Sequence, residues 1–120
     1  MPAHYLGYFA LFNQQLFFEA HEVLESLWLP VRRDAGGDFY KGLIQLAGAF
    51  VHLQKNRLRP AAALFRLAQA NLEKYPSPHE RLNLTAVCLV IHGWHRQLEK
   101  KDFLINPLSA VNVPHLALSK

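Results

Sequence analysis

A chain of 120 residues, 51% of them apolar, can close one hydrophobic core that buries roughly two thirds of its unfolded surface, with no room for a second domain. Its formal charge is +4 and its pI near 9.5, yet residues 1–31 hold Glu19, Glu22 and Glu25 with no lysine or arginine, so that stretch is the acidic part of a basic protein. The single cysteine excludes a disulfide-stapled scaffold, and no apolar run reaches the ~18 residues of a membrane span, so the expectation is a cytoplasmic protein with no membrane partner.

Proline, glycine and capping residues divide the chain into four expected helices and a tail. The first helix starts between Pro2 and Tyr8 and ends by Leu29, because Pro30 disfavours helical geometry in the residue before it. A polar link through Arg32, Arg33, Asp34, Gly36 and Gly37 follows. Asp38 then suits the N-cap of a second helix reaching about Asn56, with Leu43, Leu46, Phe50 and Leu53 on one side and with Gly42, Gly48 and Ala49 permitting close approach. A third helix opens near Pro60 and runs through Ala61 to Tyr75. Ser77-Pro78-His79-Glu80 has the pattern of a capping box, opening a fourth helix over 78–101.

The tail, 102–120, is apolar but broken by Pro107 and Pro114, and it carries no charged residue from Phe103 to Ser119. A solvated disordered tail has the opposite composition, so this one is expected to lie extended across the bundle, with docking onto a second subunit as the alternative. The fold predicted is therefore all-α: a single-domain helical bundle over 1–120, of about four main helices, with an extended apolar C-terminal tail packed on it.

The chemistry concentrates in the first helix. At 100° per residue, with His21 as zero, Glu25 falls at about 40° and Trp28 at about −20°, among Phe17, Phe18 and Leu24. The solvated stripe lies elsewhere, on Gln15, Glu19, Glu22 and Ser26. A carboxylate on an apolar face costs several kcal/mol unless it is paired, hydrogen-bonded, protonated or bound to metal. On the second helix Gln45 and His52, seven residues apart, share a stripe with Gly42 and Ala49, and a neighbouring helix could bring His21 and Glu25 to them.

His21, Glu25 and His52 are the types of side chain that bind zinc, manganese or iron, with Gln45 and Trp28 lining such a site and Glu22 a candidate general base. The ordinary alternative is a hydrogen-bonded network of His21, Glu25, Gln45 and His52 that fixes helix packing. Glu22 then reads as a surface residue and Trp28 as a core anchor. Cys88 reads as a small buried hydrophobe, and His92 and His95 as rim or core histidines. The sequence lacks the second histidine of the His-Glu-x-x-His motif and the paired Glu-x-x-His motifs of bundle di-iron sites.

Phe18-Glu19-Ala20-His21-Glu22-Val23-Leu24-Glu25-Ser26-Leu27-Trp28, with Gly42-Leu43-Ile44-Gln45-Leu46-Ala47 and His52, resembles the domain of unknown function 309 family, recognised by His-x-x-x-Glu-x-x-Trp. The resemblance covers about 9–75, the motif-bearing core. It implies a small all-helical domain whose motif is functionally important and a candidate for metal binding, and it implies no reaction.

Three functions compete on these residues. The first is a metal- or small-ligand-binding domain using His21, Glu25 and His52. The second is an interaction module in which the motif is structural and the apolar tail or the basic face of the third helix binds a partner, a second copy of the chain among the candidates. The third is an RNA-associated protein acting through Lys55, Arg57, Arg59 and Arg66, for which a solvated face is the ordinary alternative.

Overall fold

The computed structural model describes residues 2–119, and among them the regular structure is helical: α1 (Ala3–Asn13), α2 (Phe17–Trp28), a 3-10 turn (Leu29–Val31), α3 (Gly37–Gln54), α4 (Leu58–Leu72) and α5 (Leu84–Lys100). Helix α3 is the centre. It packs most extensively on α4 and then on α2, while α1 covers α2 and α5 covers α4.

Phe50 of α3 ties these layers together. Its ring meets Phe12 of α1 at 5.6 Å, Phe17 of α2 at 5.0 Å, Phe65 of α4 at 5.2 Å and Trp94 of α5 at 5.0 Å. Three of the four contacts are edge-to-face and one is stacked, geometries that ring quadrupoles favour. Gly42 sets the spacing between α3 and α4: a Cβ there would stand 2.9 Å from Leu72 and 3.2 Å from the Ala68 carbonyl.

The first expected helix is two helices. Gln15 is left-handed (φ 65°), the Leu16 N–H reaches the Leu11 carbonyl and the Gln15 N–H reaches Phe12, which is the Schellman ending of α1. The sequence hides the break because Gln occupies the position where glycine usually marks one. Expected caps also move. Asp38 does not cap α3; it sits in the first turn and binds Lys74 Nζ at 2.7 Å.

Ser77-Pro78-His79-Glu80 is not a helix start. Glu80 and Arg81 take positive φ and close a turn in which His79 and Leu82 exchange backbone hydrogen bonds, and the His79 ring packs on Phe39 at 4.5 Å and Tyr75 at 4.7 Å. Asn83 caps α5 instead, accepting from the Ala86 N–H at 3.0 Å. Ser77 still serves that helix from outside, its Oγ accepting from the Thr85 N–H.

The tail lies along the bundle. Asn106 donates to the Leu53 carbonyl, Asn13 holds both backbone groups of Leu116, and Leu118 bridges to Leu82. No helix among the described residues is long and apolar enough to cross a membrane.

Candidate functional site

Helix α2 is held to the core by Phe17, Ala20 and Leu24, spaced three and four apart and fully buried. That fixes His21, one position past Ala20, at the border between core and solvent. Its side chain is 30% exposed and that of Glu25 is 44% exposed, with His21 Nε2 and Glu25 Oε2 3.5 Å apart. The expected burial of the carboxylate is thus corrected: the wheel gives the direction of Glu25 but not its depth, and water reaches it. A pair this exposed contributes at most about 1 kcal/mol, and only when the imidazole is protonated.

His21 faces a groove of about 310 Å³ between α2, α3 and α4, which it lines together with Phe18, Gln45, His52, Lys55 and Leu64. The remaining wall is Ile44, Gly48 and Val51 of α3. His21, Gln45 and His52 therefore line one groove. Glu25, Trp28 and Glu22 do not line it, and Glu22 is exposed on α2. Among the described residues no three His, Cys, Asp or Glu side chains converge closely enough to hold a metal ion, so His21, Glu25 and His52 are not assembled as a ligand triad.

Hydrogen-bonding capacity is left unspent on two of the groove's histidines and on Trp28. Nδ1 of His21 and Nδ1 of His52 are both buried without a partner, as is Trp28 Nε1 at the end of α2. Each such atom forgoes roughly 1–3 kcal/mol. Burial first, then the nearby Arg57 and Lys55 charges, push the His52 imidazole below its usual range, so it is neutral at pH 7 and offers one donor and one acceptor.

Gln45 is committed on one side only: its Oε1 accepts from Asn71 Nδ2 at 2.7 Å, and Asn71 Oδ1 in turn accepts from Lys74 Nζ. The polar partner that α3 meets is thus on α4 rather than α2. Asn71 is a buried polar residue whose spacing from Ala68 and Leu72 puts it on the core face of α4, although nothing in its residue type signals a role there.

A second groove, larger at about 420 Å³, runs between α4 and α5 past Glu73, Ser77, Thr85, Cys88 and His92. Size does not make it the better site. Burial and the Glu73 charge push the Cys88 thiol up, which keeps it protonated and unreactive, and no buried unpartnered nitrogen or oxygen borders it. His95 is occupied structurally, its Nε2 accepting from Arg66 Nε at 3.1 Å and its Nδ1 standing 3.0 Å from Glu99.

Helices and groove together define an all-α protein in which Phe18 and His21 of α2 border an opening onto α3, with Glu25 and Trp28 outside it. The chain belongs to the family described as Domain of unknown function (DUF309), whose model matches residues 5–64. That span contains every residue of the α2–α3–α4 groove and none of the second groove. No curated protein and no solved structure is similar to the chain beyond chance.

Proposed function

We propose that this is a small-molecule-binding domain, with the α2–α3–α4 groove as its site. The observation that carries the reading is that the two histidines lining one opening from two different helices, His21 and His52, each keep an imidazole nitrogen without a hydrogen-bond partner among the described residues. Apolar walls from Phe18, Ile44, Val51 and Leu64 suit the body of an organic ligand, and a few convergent polar groups would fix its orientation. Lys55 is the one fully charged residue on the lining and no carboxylate lines it, which favours a ligand whose polar head is anionic or rich in acceptors.

A divalent metal is the second reading, favoured by the His21–Glu25 contact. The donors present do not fit a centre held by this chain alone, because two ligands on one helix fall short of the three or four that zinc takes from protein. Zinc, manganese or iron would need the bound molecule itself to complete the donor set.

Thermal unfolding in the presence of amphipathic carboxylates, with zinc, manganese and iron as separate arms, tests both readings. A carboxylate at 100 times its Kd should stabilise the wild type by about 2.7 kcal/mol and leave Gly48→Leu, whose side chain grows into the groove, unshifted. Equal stabilisation of Gly48→Leu would rule out the groove. Stabilisation by a metal alone, lost in both His21→Ala and Glu25→Ala, would move the site to the metal reading.

A further inference from the structure

We propose that the outer face of α4 and α5 binds the phosphodiester backbone of nucleic acid. Seven cations belong to these segments: Lys55 in the α3–α4 turn, where it also borders the α2–α3–α4 groove, Arg57 beside it, Arg59 and Arg66 on α4, and Arg96, Lys100 and Lys101 on α5 and its end. Only Glu99 and Asp102 accompany them, while the other six cations of the chain stand with seven carboxylates. Among the described residues the positive excess therefore falls in these segments, in contrast to α2 with its Glu19, Glu22 and Glu25.

Three contacts show that these segments form one surface. Arg59 lies 4.6 Å over the Phe103 ring just beyond α5, Arg66 donates to His95 of α5, and Asn106 donates to the Leu53 carbonyl beside the α3–α4 turn. Helices α4 and α5 consequently run antiparallel here, with Arg59 and Arg66 about 10 Å apart along their seam.

The contacts also leave the charges unspent. None of the seven forms an ion pair among the described residues, and Lys55, Arg57, Arg96, Lys100 and Lys101 make no side-chain hydrogen bond there. Four of the seven are arginines, whose planar forks match phosphate oxygens in pairs. Spread over two helices, they suit a line of phosphates better than a single one. An anionic bilayer is the competing partner, because Leu104 and Ile105 stand exposed beside Lys101.

Fluorescence anisotropy of the full chain with labelled oligouridylate and with duplex DNA, across a salt series, is the test. Arg57→Gln/Arg96→Gln/Lys100→Gln/Lys101→Gln removes four cations that hold nothing in the fold, and circular dichroism checks that it stays helical. The wild type should bind at low salt. The quadruple variant should bind oligouridylate more than 10-fold more weakly, with a log–log salt slope shallower by roughly 3, near 0.7 for each lost phosphate contact. The control Arg32→Gln/Arg33→Gln/Lys41→Gln, cations outside the face, should bind like the wild type. Stronger binding of RNA or of DNA tells which backbone is preferred, and either supports the proposal. No binding at low salt, an equal loss in the control, equal binding of polyglutamate, or preferential capture by phosphatidylserine vesicles would each overturn it.

Discussion

Phe50 sits where four other aromatic rings from four helices converge, so its removal leaves a cavity that no one neighbour can fill. Phe50→Ala should cost about 3–5 kcal/mol, read by chemical denaturation. Nearer the groove, His52 supplies a pH dependence. Its folded pKa lies below its ordinary 6.5, so the unfolded chain binds more protons between the two values. The stability from this site is complete above pH 6.5 and is lost as the pH falls through the folded value. Melting temperatures from pH 5 to 8 should show that step in the wild type, and His52→Gln should flatten it; an identical profile in the variant would place the effect elsewhere. The sequence made the residues of this site legible in part. Helical spacing put His21 and Glu25 together on an apolar face and paired Gln45 with His52, but it could not tell that His21 sits at a border, that Glu25 is hydrated or that Asn71 satisfies Gln45, because angle around one helix carries no information about how deeply its neighbour covers it.

Helix ends obey one device three times. Gln15, Asn56 and Asp102 each take a left-handed conformation, and the residue after each returns its N–H to a carbonyl five positions back. Asn and Asp tolerate that conformation, and the ends of α3 and α5 were accordingly readable at about Asn56 and Lys101. Gln tolerates it less, and the α1–α2 break was not readable. Gln15→Gly should raise stability by about 0.5–1 kcal/mol, since a left-handed non-glycine residue costs roughly 1–2 kcal/mol and glycine returns part of that as chain entropy. No gain would mean that Gln15 contributes something its backbone does not. Two glycines of α3 make a matched pair. Gly42→Ala drives a methyl into Leu72 and the Ala68 carbonyl and should destabilise by about 1–3 kcal/mol despite the better helix former. Gly48→Ala meets only the end of the Leu64 side chain at 3.2 Å, which can swing into the groove, and should leave stability level or up to about 1 kcal/mol higher. Equal losses in the two would contradict the close approach of α3 to α4 at Gly42.

Across the molecule, the tail acts as a strap tied at several points, and Asn13 makes the tie at Leu116. Asn13 donates to the Leu116 carbonyl at 2.7 Å and accepts from its N–H at 2.8 Å, while Leu116 itself is buried. Asn13→Ala leaves both backbone groups without partners and should cost about 1–3 kcal/mol, with limited proteolysis then cutting the tail ahead of the helices. The tail was legible as a packed segment from its lack of charge, whereas its anchor was not, because Asn13 and Leu116 are joined only in three dimensions. Lys55 belongs both to the lining of the α2–α3–α4 groove and to the basic segments, and the groove is the proposed ligand site. The direct measurement is a two-dimensional amide NMR titration of the labelled chain with a library of small carboxylates and apolar fragments. Binding should move the resonances of Phe18, His21, Gln45, Gly48, His52 and Lys55 together, and Gly48→Leu should abolish the shifts. Shifts confined to Cys88, His92 and their neighbours, or no fragment binding at all, would contradict it.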